Sequence, residues 1–224
     1  MAIRPVEPRR RRRKINRRAL MEAASHLFRE EGYRATSLER VASELGVTRA
    51  ALYHWVPSKE ALLCEIHEEA MELMLERFHQ IDESALPPAQ KLAAALRNHL
   101  LVVAHNLDTI AVFFQDEASV PEGPARRIAA RKRAYDHSLE ALVRAGQGDG
   151  SIRPDLNSKV VVETLLGMCN WIYHWYDPDG RVKPDALADQ VVEMALGAIT
   201  ATQAGSGLQG RPSPGRGSSP SPPD

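Results

Sequence analysis

A short stretch of the chain, residues 48–56, carries side chains whose types and spacing suit contact with nucleic acid. Thr48 can cap a helix through its hydroxyl, and Leu52 points back to the core one turn later. The side chains left on the outer side are those of Arg49, Ala50, Tyr53 and His54. A guanidinium can bind guanine through two hydrogen bonds, so Arg49 is the candidate base contact. Alanines follow at 50 and 51, so base reading would rest on Arg49 and on DNA shape.

A preceding helix and a tight turn are needed to hold this stretch in place. Val41 and Leu45 lie four residues apart and so share one helix face. Gly46 follows at the point where a left-handed φ commonly ends a helix. Two helices joined in this way form the helix-turn-helix pattern, whose second helix enters the DNA major groove. The alternative is an ordinary corner between two helices of a helical domain.

The same region resembles the TetR family of bacterial one-component repressors. The resemblance rests on Gly32-Tyr33-x-x-Thr36-Ser37 and on the run from Tyr53 to Glu60, which is similar to the family signature LY-x-x-F/W/V-x-x-K-x-x-L. It covers roughly residues 15–62. It implies a dimeric repressor that binds a palindromic operator in double-stranded DNA and is controlled by a small-molecule effector. At the matching positions it implies phosphate contacts for Thr36, Ser37, Thr48, Tyr53, His54 and Lys59.

Charge is distributed unevenly along the chain. The 224 residues hold 29 basic and 29 acidic side chains and have no net charge. Residues 1–60 contain 14 basic and 7 acidic residues, a net charge of +7, which leaves −7 for the remainder. A basic first part joined to an acidic second part is typical of a DNA-binding domain attached to another domain.

Helical periodicity and breaks at proline and glycine predict an all-α protein with no strand. Thr36 and Glu39 have the spacing of a capping box that would begin the first helix of the helix-turn-helix. Pro57 ends the short second helix, and Ser58 can cap the next. The other predicted helices span residues 15–31, 58–81, 89–105, 108–117, 125–145, 154–175 and 184–202. The helix over 154–175 is apolar on nearly every side, which indicates contact with a second subunit.

These signals divide the chain into four parts. Residues 1–13 are predicted to be a basic disordered arm, which is either a solvated tail or an additional DNA contact. Residues 14–60 form the predicted DNA-binding domain, and residues 61–204 form a larger helical domain for effector binding and dimerisation. Residues 205–224 are rich in Gly, Ser and Pro and are predicted to be disordered.

An aromatic stretch over residues 167–181 suggests what the effector is. Its N-W-x-x-x-W-Y-x-P-x-G-R pattern resembles the C-terminal signature of a TetR subgroup that controls fatty-acid, aromatic-acid or steroid degradation. That resemblance implies an acyl-CoA thioester, which needs an apolar slot and cations for its phosphates. The candidate effector-binding residues are Phe113, Phe114, Arg131, Met168, Trp171 and Trp175. The alternative is a packed core followed by a helix-ending turn.

Catalytic and metal sites are not indicated. Cys64-x-x-His67 could present two metal ligands, but no second pair stands at ligand spacing, and no phosphate loop, GxSxG or HExxH motif occurs. We therefore predict neither an enzyme nor a cofactor other than the effector. Two cysteines and no apolar run of membrane-spanning length favour a cytoplasmic protein with no membrane partner.

Two rival classes remain open on the sequence alone. One is a DNA-binding or architectural protein without an effector, and the other is a helical enzyme with an incidental helix-turn-helix. A ligand that both binds and releases DNA would exclude the first. Turnover of a thioester without specific duplex binding would be needed to adopt the second.

Overall fold

The computed structural model describes residues 16–200, where the chain is helical apart from loops and one isolated bridge between Ile152 and Thr200. Two short 3-10 helices span Glu117–Ser119 and Trp171–His174. The α-helices of this span are α1 (Arg17–Glu31), α2 (Leu38–Leu45), α3 (Arg49–Tyr53), α4 (Lys59–Glu83), α5 (Pro88–His105), α6 (Leu107–Gln115), α7 (Glu122–Gly148), α8 (Ser158–Asn170) and α9 (Pro184–Ile199). The predicted all-α class is confirmed.

Local capping sets the boundaries of α2 and α3. Gly46 adopts the left-handed conformation, with φ 68° and ψ 32°, and ends α2 as predicted. The hydroxyl of Thr48 accepts from the backbone N–H of Ala51 at 3.2 Å, so Thr48 is the N-cap of α3. The predicted capping box of Thr36 with Glu39 is wrong. Ser37 is the N-cap, since its hydroxyl accepts from the Arg40 backbone N–H at 3.2 Å.

The helices of the larger part follow the predicted order with shifted ends. Ser58 caps α4 as expected, accepting from the N–H of Ala61 at 3.1 Å. Helix α7 begins at Glu122, three residues earlier than predicted, because Pro124 lies in its first turn, where no backbone donor is needed. It also runs through Gly146, where a side chain would meet Ile152.

Helix α8 is shorter than the predicted helix over 154–175. It begins at Ser158, where Asn157 provides the cap, and after Asn170 the chain tightens into the 3-10 turn Trp171–His174. Trp171 and Trp175, predicted within one continuous helix, therefore lie in this turn and directly after it.

Helix α5 lies at the centre of the larger part and packs against α4, α7, α8 and α9. The buried side chains of α1–α3 and of α4–α9 form one continuous hydrophobic cluster. The boundary predicted at residue 60 therefore stays a prediction, and the arm 1–13 and tail 205–224 lie outside the described residues. Within residues 16–200, no helix has the length and hydropathy needed to cross a bilayer.

Candidate DNA interface and effector site

The exposed side chains around α3 form a surface that we call the DNA-reading surface. Leu52 and Val56 are fully buried and fix α3 to the core, so its opposite side faces solvent. Six of the predicted DNA contacts are exposed here: Ser37, Thr48, Arg49, Ala50, Tyr53 and His54. The structure therefore places them where a duplex can reach them, and their individual contacts with DNA stay predictions.

Arg49 is held by two neighbours on this surface. Its Nη1 lies 2.8 Å from Oε1 of Glu39 on α2, and its Nη2 donates to the Tyr53 hydroxyl at 3.3 Å. The guanidinium carbon also lies 5.3 Å from the centroid of the Tyr53 ring, within cation–π range. A hydrogen bond from its own backbone N–H lowers the pKa of Glu39, and the Ser37 hydroxyl and Arg49 lower it further. Glu39 is thus a charged partner of Arg49 at neutral pH.

Thr36 and Lys59 have partners inside the protein, which argues against the phosphate contacts predicted for them. Thr36 is 1% exposed, and its hydroxyl lies 2.9 Å from the carbonyl oxygen of Gly32. The Lys59 ammonium donates to the carbonyls of Tyr33, Arg34 and Thr36 at 2.9, 3.3 and 3.0 Å. An ammonium has three N–H donors, so these contacts use all of them. Both residues shape the loop between α1 and α2.

Helix α6 connects the DNA-reading part with the larger part. Asp108, in its first turn, accepts from Arg29 Nη1 at 2.8 Å and lies 3.2 Å from Nδ1 of His26, both on α1. Thr109 donates to the Ser25 hydroxyl at 3.3 Å. At the other end of α6, burial raises the pKa of Asp116, while Arg34 and Lys59 act to lower it. A movement of α6 would therefore change its contacts with α1 directly.

The predicted effector residues fall into two groups. Phe113 is buried and its ring lies 5.3 Å from that of His67 on α4, while Phe114 stacks on Tyr173 at 5.8 Å. Arg131, on α7, pairs with Glu72 at 2.7 Å. In contrast, Met168, Trp171 and Trp175 are 40, 62 and 58% exposed. These three side chains are therefore not buried with Phe113.

A buried polar network at the centre of the larger part escaped the sequence analysis. His99 on α5 is 2% exposed, and its Nε2 lies 2.7 Å from Oδ1 of Asn170. The hydroxyl of Tyr135 on α7 lies 3.2 Å from its Nδ1. Burial lowers the pKa of His99 to about 4, so the imidazole is neutral. These partners assign the proton to Nε2, which donates to Asn170, while Nδ1 accepts from Tyr135.

Two signals in the sequence could have indicated this network. His99 interrupts a helix that is otherwise rich in Ala and Leu, and Asn170 belongs to the aromatic signature. Within residues 16–200, no group of three or more His, Cys, Asp or Glu side chains could hold a metal ion.

Comparison with known proteins identifies the family. The model of the bacterial regulatory proteins of the tetR family matches residues 20–66, and that of the tetracyclin repressor-like C-terminal domain matches residues 85–199. This chain belongs to the TetR family. It is a DNA-binding transcriptional regulator, and the helix-turn-helix prediction is confirmed.

Three relatives of this TetR-family chain indicate the subgroup. The transcriptional repressor KstR2 of Mycolicibacterium smegmatis is 26% identical over 189 residues, which cover 82% of this chain and 90% of that protein. The ketosteroid regulator KstR2 of Mycobacterium tuberculosis is 25% identical, with a TM-score of 0.78, and 84% of this chain aligns with 98% of it. AibR, solved with isovaleryl coenzyme A and operator DNA, is 32% identical, has a TM-score of 0.70, and aligns over 79% of this chain and 96% of its own. These similarities support the predicted catabolic subgroup.

Proposed function

We propose that this TetR-family regulator is a homodimeric repressor that binds a palindromic operator and is released by an acyl-CoA thioester. The observation that carries the DNA part is the DNA-reading surface, where a buried Leu52 turns Arg49 outward on a short helix. Arg49 contacts a guanine, while Ser37, Thr48, Tyr53 and His54 contact phosphates. The protein acts in the cytoplasm, where its operator lies.

Selection of bound duplexes from random DNA tests the DNA part. We expect a palindrome, because a two-fold dimer presents two recognition helices to two half-sites. Arg49→Ala should relax the preference for one base pair in each half-site and cost roughly 1–3 kcal/mol of discrimination there. Unchanged base preference in the variant would contradict the role of Arg49.

The dimer is proposed from an apolar face on α8, α9 and the intervening 3-10 turn. Val160, Met168, Trp171, Trp175 and Met194 are all between 40 and 66% exposed. Helix α8 packs against α9 and the 3-10 turn, so these side chains belong to neighbouring elements, and an exposed apolar patch commonly marks an interaction site. We therefore assign Met168, Trp171 and Trp175 to contact with the second subunit rather than to the effector.

The effector site is proposed inside α4–α8. Phe113 and Phe114 line the acyl slot, the neutral His99 network offers a donor or an acceptor to a polar group, and Lys132 lies 5.9 Å over the Phe114 ring. Arg131 would exchange its ion pair with Glu72 for a phosphate of the coenzyme. The complex of AibR with isovaleryl coenzyme A supports this ligand class.

Displacement of labelled operator by a series of acyl-CoAs tests the effector part. Free coenzyme A and the matching free acids serve as controls. We expect release only by thioesters, and weaker release for Arg131→Gln than for Arg133→Gln, a matched variant on the same helix. If no thioester binds and releases DNA, the rival without an effector is preferred.

A further inference from the structure

We infer that Glu39 is a specificity-determining residue, which directs the Arg49 guanidinium toward base pairs and away from phosphates. The inference rests on the proposed base contact of Arg49. Glu39 itself contacts no base and acts through Arg49.

Arg49 keeps unused N–H donors for a base while it is paired with Glu39 and Tyr53. A guanidinium has five N–H donors, and Glu39 and Tyr53 each use one, on Nη1 and Nη2. Three donors remain, which is enough for the O6 and N7 acceptors of guanine. Holding the side chain in advance reduces the conformational entropy that Arg49 loses when it binds a base.

The charge of Glu39 opposes the competing contact. The Arg49 and Glu39 side chains are 64 and 46% exposed, so a duplex bound at this surface can reach both. A free arginine would bind the nearest phosphate on any sequence, because phosphate attraction is independent of sequence. While it is paired with Glu39, Arg49 contributes little net charge to that attraction. A guanine in the groove offers the O6 and N7 acceptors that the remaining donors of the paired guanidinium can bind.

Glu44 supplies a matched control on the same helix. It is also a carboxylate of α2, with a side chain 45% exposed, and it pairs with Arg40 at 2.9 Å. Arg40 belongs to α2 and also contacts Glu31 of α1. Changing Glu44 to glutamine therefore removes the same charge from α2 without touching α3.

The test measures binding of dimeric Glu39→Gln, Glu44→Gln, Arg49→Ala and the double variant E39Q/R49A over a series of salt concentrations. Each protein is titrated with the selected operator, with the operator lacking the guanine assigned to Arg49, and with an unrelated duplex. For E39Q we expect affinity for the unrelated duplex to rise about tenfold, and its log K against log salt slope to steepen by about 0.9 per subunit. Operator affinity should change much less, so the specificity ratio falls about tenfold. The E44Q variant should change the affinity for all three duplexes by the same factor.

Three outcomes separate this inference from the proposed function. If R49A loses the guanine preference while E39Q shifts every duplex as E44Q does, Glu39 has no role in specificity and the base contact stands. If R49A keeps the guanine preference, the base contact fails and the inference fails with it. In the double variant, E39Q should add no more than E44Q adds to wild type, because the partner of Glu39 is gone. A larger effect would overturn the inference.

Discussion

At the residue scale, His99 shows how burial fixes a protonation state. Its two nitrogens have the partners that a neutral imidazole needs, one donor and one acceptor, and no carboxylate is among them. Protonation would place a positive charge on a buried ring, and removing that charge from water is unfavourable. Burial therefore lowers the pKa of His99 to about 4 from 6.5.

This pKa predicts loss of stability in acid. Above pH 6.5 both folded and unfolded His99 are neutral, and the network contributes fully. As the pH falls from 6.5 toward 4, His99 becomes protonated in the unfolded state but stays neutral in the folded state. The free energy of unfolding therefore decreases by up to roughly 3 kcal/mol. His99→Gln keeps a donor and an acceptor without titrating. Denaturant unfolding at several pH values should show a shallower decline for the variant, and parallel curves would contradict the assignment.

The two possible roles of Lys59 can be separated by mutation. A role in the α1–α2 loop affects protein stability, whereas a phosphate contact affects the salt dependence of DNA binding. If Lys59 holds the three carbonyls of the α1–α2 loop, Lys59→Met should lower the free energy of unfolding by about 1–3 kcal/mol. The salt dependence of operator binding should stay as in wild type. If the variant keeps its stability, and its slope of log K against log salt is shallower by about 0.9 per subunit, the predicted phosphate contact of Lys59 is supported instead.

At the element scale, α6 joins the two functions. Its last turns carry Phe113 and Phe114, which we place against the effector, and its first turn carries Asp108, which binds α1. An effector can shift DNA affinity only through groups that differ between the two states of the protein. We propose that the contacts of Asp108 with Arg29 and His26 on α1 are such groups.

Asp108→Asn is therefore predicted to weaken coupling more than DNA binding. We expect operator affinity within about threefold of wild type and an effector-induced loss of affinity reduced at least about fivefold, which lies within the usual range of coupling energies. The measurement is operator binding with and without saturating effector. Asp185→Asn removes a comparable ion pair with Arg97, inside the larger part, and should leave the coupling unchanged. Equal effects of both variants would show that Asp108 has no special role.

At the scale of the whole molecule, the apolar face that we propose as the dimer contact would determine whether two DNA-reading surfaces act together. Trp171 is 62% exposed in the single chain, so a charged residue there costs the monomer little. In the dimer, a glutamate at position 171 would place an unpaired carboxylate inside an apolar contact, which is unfavourable.

Trp171→Glu should thus give a folded monomer with weak operator binding. Sedimentation should show half the wild-type mass, circular dichroism an unchanged helical spectrum, and operator titration a large loss, because the half-sites are no longer bound together. Leu86→Glu is the control, since Leu86 is 42% exposed between α4 and α5, outside this face. A dimeric W171E would place the interface elsewhere.

The order of helices and the DNA-reading surface were available from the sequence by itself. Gly46, Thr48 and Ser58 form their capping hydrogen bonds with backbone groups within four residues. These caps could therefore be predicted from the local sequence. Even so, Ser37 rather than Thr36 caps α2, because the Thr36 hydroxyl donates to the backbone carbonyls of Leu27 and Gly32. The alternation of apolar residues decided the all-α class in the same local way.

Partners from distant parts of the chain were decided only by the tertiary structure. His99 meets Tyr135 and Asn170 across separations of 36 and 71 residues, and Asp108 meets Arg29 across 79. Trp171 and Trp175 were predicted within one helix over residues 154–175, yet they lie in and directly after the 3-10 turn that follows α8, and both are exposed. Helix formation follows bonds between near neighbours, whereas burial and pairing of side chains depend on how the helices pack together.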